Sequence, residues 1–267
     1  MDKGGRHILL RADDREQIVV RQASQDCVRS SMIPNIVHFI RLRGRLERPW
    51  SLINTCCVRA AHAVQKPDKI ILWTDQAAPE PIRDLVEVRH YDPPPFIGAQ
   101  HLEYAQYRAD LARLHILKEH GGIYLDTDML LIKPLRFDKS DFVAGIESDE
   151  AICGAALMAR PGAPFIDHWL AAFERGVATG VWAYQCVNTP YEIAIRRPDL
   201  IRLLPRETFA AFDFSRNHLF DEAPPQIPDA CHGLHVWETF WRDHLGHVDE
   251  RFIERSNSLF ATTVRQS

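Results

Sequence analysis

The chain has 267 residues, with 32 Lys+Arg against 36 Asp+Glu and a formal net charge of -4. Hydrophobic residues make up 46% and charged residues 25%, which excludes a disordered chain, a collagen-like chain and a disulfide-stapled miniprotein. The slightly acidic balance argues against a nucleic-acid partner and against a polybasic membrane anchor. The six cysteines (Cys27, Cys56, Cys57, Cys153, Cys186 and Cys231) contain no C-x-x-C pair, and Cys56 and Cys57 are adjacent. Reduced, mostly buried thiols in a cytoplasmic protein are expected. The N-terminus lacks the apolar core of a signal peptide, and no run reaches the roughly 18 apolar residues of a membrane span. Peripheral membrane contact through the arginines of residues 1–48 stays open.

Residues 1–30 have mixed charge and weak periodicity and read as an N-terminal extension, with a strand near Ile8–Leu10 or Ile18–Val20. Residues 31–267 read as a single domain. Ile36-Val37-His38-Phe39-Ile40 is a short apolar run before Gly44, hence a buried strand. Trp50, Ile53, Cys57, Ala60, Ala61 and Val64 recur at helical spacing after Pro49. A second strand is predicted over Lys69–Asp75, a short helix over Pro79–Leu85 and a third strand over Val86–Tyr91. Alternation of strands and helices predicts a mostly parallel sheet, Rossmann-like, with helices on both faces.

Asp92-Pro93-Pro94-Pro95 opens a loop. A long helix is predicted over Leu102–His120, with Tyr104, Tyr107, Leu111, Leu114 and Leu117 as its apolar stripe and Gly121-Gly122 as its stop. A short strand, Ile123-Tyr124-Leu125, runs into Asp126-Thr127-Asp128. Strands are expected near Phe142–Ile146, Ala155–Ala159, Ile201–Leu204 and Leu234–Val236. Helices are expected near Pro164–Phe173 and Pro190–Arg196, in a less regular C-terminal half.

Asp126 and Asp128 carry the sharpest chemical signal. Residues i and i+2 of a strand point the same way, so both carboxylates can approach one divalent ion, directly or through water. Hard oxygen ligands suit Mn or Mg. Ligands of open α/β sheets sit beyond the carboxyl ends of the strands, where this pair falls. Asp110 and Arg113, three apart on the preceding helix, share one face. Taken alone, these pairs also read as a solvated turn and an intrahelical ion pair.

The run from Tyr107 to Asp128, YRADLARLHILKEHGGIYLDTD, resembles the core of the sugar-binding-region glycosyltransferases containing the Asp-x-Asp motif. That group includes glycosyltransferase family 32, the yeast-type initiating mannosyltransferases and the large clostridial glucosylating toxins. Asp110, Arg113, Gly121, Gly122, Tyr124, Asp126 and Asp128 match its pattern, and Ala109 replaces its usual Ser. Ile33–Phe39 and Ile71–Asp75 resemble its first two strands. His235-Val236-Trp237-Glu238-Thr239-Phe240-Trp241 resembles its closing element, with Phe240 in place of Ser.

The resemblance implies a GT-A fold and a retaining hexosyltransferase using a nucleotide-diphosphate sugar, with a UDP-sugar the expected donor. It implies Asp128 as direct metal ligand, with Asp126 on the ribose and indirectly on the metal. Asp110 and Arg113 would hold the donor sugar. His235 would contact diphosphate or metal, Tyr124 would join the donor site, and Trp241 would close over the donor. The acceptor would be a glycan, a lipid-linked saccharide or a protein, with a lean toward polysaccharide biosynthesis. Three departures stand out. Arg41 replaces a Trp often found after the first-strand His-Phe, so base stacking is lost or comes from Arg41 or another aromatic. Asn188-Thr189-Pro190 replaces Thr-Gly-Pro, and Cys153-Gly154 stands where Asn is common, both on the expected acceptor side. Two rival readings are a non-catalytic sugar-nucleotide-binding protein of this fold and a haloacid-dehalogenase-type phosphatase. The latter places its Asp-x-Asp on the first strand and has a downstream acidic metal motif, unlike this chain.

Overall fold

A computed structural model describes residues 32–44, 49–137, 140–215 and 218–266. The strands expected near Ile8–Leu10 or Ile18–Val20, the extension and Cys27 lie outside the described residues.

Strand β1 (Ile36–Arg41) is followed by helix α1 (Leu52–Gln65), strand β2 (Lys69–Thr74), a 3-10 turn (Glu80–Leu85) and strand β3 (Glu87–His90). A two-residue-per-strand hairpin, β4 (Phe96–Ile97) and β5 (Gln100–His101), leads to helix α2 (Ala105–His120). Strands β6 (Gly122–Leu125), β7 (Met129–Leu131), β8 (Phe142–Ser148) and β9 (Ala151–Ala159) come next. Helices α3 (Pro164–Ala178) and α4 (Asn188–Arg196), strand β10 (Arg202–Leu204) and strand β11 (Gly233–His235) follow. Helices α5 (Glu238–Trp241), α6 (Glu250–Arg255) and α7 (Leu259–Gln266) end the described chain.

The main sheet has seven strands in the order β10-β8-β9-β6-β1-β2-β3. The β1–β2, β1–β6, β2–β3 and β8–β10 pairings are parallel. Only β9, antiparallel to both β6 and β8, runs against the rest of this sheet. The mostly parallel sheet expected from the sequence is therefore the one observed. Its inner strands are buried on both faces while the edge strand β3 is largely exposed, and alternation along the inner strands divides the core in two. Val37, Phe39, Ile70, Leu72, Ile123 and Leu125 pack on the α1 side. Ile40, Ile71, Trp73 and Tyr124 pack on the α2 and α3 side, with Leu111, Leu114, Leu117, Phe165 and Trp169. A third cluster joins α1 to the C-terminal segment through Ile53, Cys57, Leu130, Leu234, Val236 and Phe260.

Helix α1 starts at a reciprocal cap: the Asn54 amide donates to Ser51 Oγ, and the Ser51 amide donates to Asn54 Oδ1. Helix α2 begins three residues later than expected. Tyr104 precedes it and is 45% exposed, so it does not belong to the apolar stripe. The rest of α2 is enclosed on several sides, burying Asp110 and Arg113 together with Leu111, Ala112, Leu114, Ile116 and Leu117. Gly121 (φ +63°) and Gly122 (φ +96°) end the helix. A Cβ on Gly122 would lie 2.6 Å from the Ile36 carbonyl oxygen and 2.9 Å from His38 Nε2. Only glycine lets β6 enter beside β1 this closely.

Sequence reading missed the β4–β5 hairpin, β7 and the last helices. The hairpin and β7 are too short for periodicity to register. The less regular C-terminal half is tied to the sheet side by the antiparallel β7–β11 pair, which sets His235 opposite Met129. Cys56, Cys57, Cys153, Cys186 and Cys231 are free and buried, as expected. Among the described residues, no helix is long and apolar enough to cross a membrane.

Candidate active site

A cavity of about 560 Å³ opens beyond the carboxyl ends of β1, β2 and β6. The segment after β1 supplies Leu42, Arg43 and Gly44, β6 and its following turn supply Tyr124, Asp126, Thr127 and Asp128, and α2 supplies Ala109 and Arg113. Trp50, Asn54, Glu238 and Arg242 complete much of the wall.

The two aspartates converge by a turn rather than by strand alternation. Strand β6 ends at Leu125 and β7 starts at Met129. The Met129 amide donates to the Asp126 carbonyl at 3.0 Å, closing a tight turn over Asp126-Thr127-Asp128. The Asp126 amide donates to the Ala155 carbonyl of β9 at 2.8 Å, anchoring that turn to the sheet. Because β11 pairs with β7, His235 arrives beside the turn, with Nε2 3.6 Å from Asp128 Oδ1. One ligating atom each from Asp126, Asp128 and His235 lie within 4.8 Å of one another.

Asp128 is held from two directions. Its Oδ2 accepts the Glu238 amide at 2.9 Å, and its other oxygen faces His235. Burial works against its charge, but His235 and the Glu238 amide outweigh it, so its pKa lies below the ordinary carboxylate value. The same proximity acts on His235. Burial disfavours the imidazolium, yet Asp128 and Cys153 raise its pKa well above the ordinary histidine value. His235 Nδ1 is buried without a hydrogen-bond partner.

Arg113 sits at the centre of a second group. It pairs with Asp110, donates to the Gly154 carbonyl and lies 3.9 Å from Asp126 Oδ1. Its guanidinium stands 4.7 Å from the Tyr124 ring centroid, and the Tyr124 hydroxyl donates to Asp126. Burial opposes the Arg113 charge, but Asp110, Tyr124 and Asp126 more than compensate and hold it protonated. A Cβ at Gly154 would lie 3.0 Å from Arg113 Nη1, so this glycine admits the guanidinium. Asp110 takes a further bond of 2.8 Å from Gln185 Nε2. The Gln185 carbonyl in turn accepts Trp169 Nε1 at 2.7 Å.

Asp110, Arg113, Tyr124, Asp126, Asp128 and His235 are thus brought together. Trp241 is not: its indole N–H donates to the Phe214 carbonyl at 3.1 Å, and it is absent from the cavity wall. Cys153 and Gly154, expected on the acceptor side, lie behind this group, against His235 and Arg113 respectively. Thr189 and Pro190 are buried at the start of α4.

Several residues escaped sequence reading. Asn54 reads as a helix-cap residue, yet its amide also donates to Glu238 Oε2 (2.8 Å) and the Thr127 carbonyl (3.3 Å). Glu238 falls within the segment 235–241 that resembles the closing element, where the resemblance implies no role for it. Gln185 has no signal at all, because only the packing of its segment brings it to Asp110. Glu147, at the end of β8, groups with Cys153 and His235. Burial, only partly offset by His235, pushes its pKa up to about 7.

An acidic turn at a parallel-strand end, a buried Asp–Arg pair beside it and a cleft above both define a ligand-binding site at the carboxyl end of an α/β sheet. Residues 54–148 match the family described as glycosyltransferase sugar-binding region containing DXD motif. The chain carries that region and is a glycosyltransferase. It is 24% identical over 265 residues to Glucan organizing enzyme 1 of Cryptococcus neoformans var. grubii, covering 88% of this chain and 70% of that one. It is 32% identical over 106 residues to an uncharacterized glycosyltransferase of Acanthamoeba polyphaga mimivirus, covering 39% of each. Among solved structures, it resembles the PaToxG glycosyltransferase at 17% identity and a TM-score of 0.47, covering 68% of this chain and 78% of that chain. It also resembles the ligand-free glycosyltransferase domain of the YGT toxin at 9% identity and a TM-score of 0.46, covering 65% and 80%.

Proposed function

We propose that the protein transfers a hexose from a nucleoside-diphosphate sugar, UDP-linked, to a glycan, lipid-linked saccharide or protein acceptor, with retention and with the help of Mn or Mg. The observation that carries this reading is the cluster of Asp126, Asp128 and His235, whose two carboxylates line the cavity together with Arg113. Two carboxylates and an imidazole fit a hard or borderline divalent ion. His235 Nε2 faces Asp128 and its buried Nδ1 has no hydrogen-bond partner, which supports this reading. When bound, such an ion neutralises the diphosphate leaving group and fixes its position.

The chain's own residues do the rest. Asp126 and Asp128 would hold the ion, and the Glu238 amide and Tyr124 hydroxyl fix their orientation. Asp110 and Arg113, locked together by Gln185 and Gly154, present donors and acceptors to sugar hydroxyls and turn binding energy into orientation. The Arg41 guanidinium lies 5.0 Å over the Trp50 ring, and both line the cavity. This pair supplies the flat surface for the base that the first-strand replacement took away. Retention proceeds by front-face substitution, with the leaving phosphate assisting the acceptor hydroxyl. A glycosyl adduct trapped on Asp110, Asp126 or Glu147 would overturn that route.

The test is a panel of nucleotide sugars with Mn, read as released nucleotide and as thermal shift. Release from at least one sugar, abolished by chelator, is expected. No release and no thermal shift across the panel would favour a non-catalytic role. Cytoplasmic location with peripheral membrane contact belongs to the same proposal.

A further inference from the structure

We propose that Tyr104, Tyr107 and Trp182 form a stacking platform for the saccharide part of the acceptor, at the rim of the donor cavity. The inference rests on the sugar-transfer reading above and goes further by naming the acceptor as a glycan.

The three rings form a closed set. Tyr104 and Tyr107 meet edge to face at 5.3 Å, Tyr104 and Trp182 do so at 5.5 Å, and Tyr107 lies 5.5 Å from Trp182. Tyr107 packs against the core, but core packing does not explain Tyr104 and Trp182, which are 45% and 42% exposed. Helix capping does not explain Tyr104 either. It occupies the position before α2 and makes no side-chain cap bond, where Ser, Thr, Asp or Asn would serve. The backbone beside Trp182 is bent against its preference: Ala183 has φ +62°. Its carbonyl accepts the Cys186 and Val187 amides at 2.9 and 3.1 Å, which hold that bend. Non-glycine residues in the left-handed region cluster at functional sites.

The patch is continuous with the donor site. Tyr104 itself lines the cavity beside Ala109 and Arg113. Tyr107 precedes Asp110 by three residues on α2, and Gln185, three residues after Trp182, donates to Asp110. A ligand seated on the rings therefore lies next to the groups proposed to hold the transferred sugar. The chemistry favours a pyranose. Its C–H face is weakly positive, and the faces of aromatic rings carry the negative side of the quadrupole. Neutral sugars offer no charge to recognise, so flat rings and scattered hydroxyl partners are their natural surface.

The experiment is saturation-transfer NMR of the full chain with neutral hexose oligosaccharides, laminarihexaose and maltohexaose. Native protein, Trp182→Ala and Trp182→Tyr are compared, with nucleotide release measured in parallel without acceptor. Saturation of oligosaccharide ring protons is expected with native protein, a loss of at least fivefold with Trp182→Ala, and recovery of half or more with Trp182→Tyr. No saturation with native protein, or equal saturation with Trp182→Ala, overturns the platform. In either case, nucleotide release shows whether the donor reading stands without it. A dimer of native protein that Trp182→Ala dissociates would assign the rings to a second copy and overturn the proposal.

Discussion

His38 is a buried histidine whose protonation the fold opposes, and the size of that opposition follows from its surroundings. Its ring is fully buried in β1. Nε2 is 2.9 Å from the Gly121 carbonyl, and Nδ1 accepts from Trp73 Nε1 at 3.1 Å. Neutral imidazole with the proton on Nε2 satisfies both partners. A second proton on Nδ1 would face the Trp73 N–H. Burial is the main cause of a pKa depressed from 6.5 to about 4; the Gly121 bond opposes it, and His120 and Arg89 add to it. The unfolded state therefore binds more protons between pH 6.5 and 4, so stability is fully present above 6.5 and falls as pH drops toward 4. Between pH 7.5 and 4.5 the loss from this one residue is about 2–3 kcal/mol.

The assay is urea unfolding of native protein and His38→Gln at pH 7.5 and 4.5, followed by tryptophan fluorescence. Other groups titrate in both proteins, so the difference between the two isolates His38. His38→Gln is expected to cost about 1–3 kcal/mol at pH 7.5, because a flexible amide replaces the rigid ring that bridges the Gly121 carbonyl and the Trp73 N–H. That cost should shrink or reverse at pH 4.5. An unchanged difference at the two pH values would refute the reasoning. The consequence reaches the site, because Gly121 caps α2 and Gly122 starts β6, the strand that runs into Asp126.

Asp128→Asn keeps the shape and the Glu238 amide bond, so the fold should survive while the Mn-induced thermal shift disappears and turnover falls by about 100-fold or more. Gly122→Ala should destabilise by about 2–4 kcal/mol, since φ +96° and the Ile36 carbonyl at 2.6 Å both resist a Cβ. Gly162→Ala, with φ +70° and nothing within 4 Å, should cost only about 1 kcal/mol by the same melts. Arg113→Met should cost roughly 3–5 kcal/mol by stranding Asp110, whereas Asp110→Leu with Arg113→Met should recover most of that stability and none of the donor binding. Donor affinity, measured by calorimetry, should collapse with chelator and change much less between 0.05 and 0.5 M salt.

Strand and helix order was legible as far as hydrophobic periodicity reached. Ile36–Ile40, Lys69–Asp75 and Ile123–Leu125 announce themselves by apolar runs, and their order dictates a parallel sheet. Asp110, Arg113, Asp126 and Asp128 were legible because they lie close in sequence, on one helix and the turn after the next strand. His235 became legible only through resemblance. What brings it to Asp128 is the three-residue β7–β11 pairing, too short to show in either segment. Gln185 and Glu147 reach the site from segments 75 and 21 residues away from Asp110 and Asp126, through helix and sheet packing. Tyr104 misled in the opposite direction: its spacing fits a stripe, but the helix begins after it. A period of 3.6 identifies a face without saying where the face stops.

The overall charge of -4 said little about the site, and the cavity explains why. Among the described residues its wall carries Arg41, Arg43, Arg113 and Arg242 against Glu103, Asp126, Asp128 and Glu238. Four cations against four anions give a diphosphate no net attraction. Charge on the rest of the surface is largely screened beyond about 8 Å at physiological ionic strength. A divalent ion taken up by Asp126 and Asp128 shifts that balance by two charges, at contact distance and in a partly buried place where salt screens poorly. On the proposed reading, the arginines would set where the donor lies and the ion would set whether it binds. Arg113 is the exception among the four, buried and already committed to Asp110, Asp126 and Gly154. Its charge is largely spent inside the protein, which suits a residue that orients sugar hydroxyls better than one that attracts phosphate.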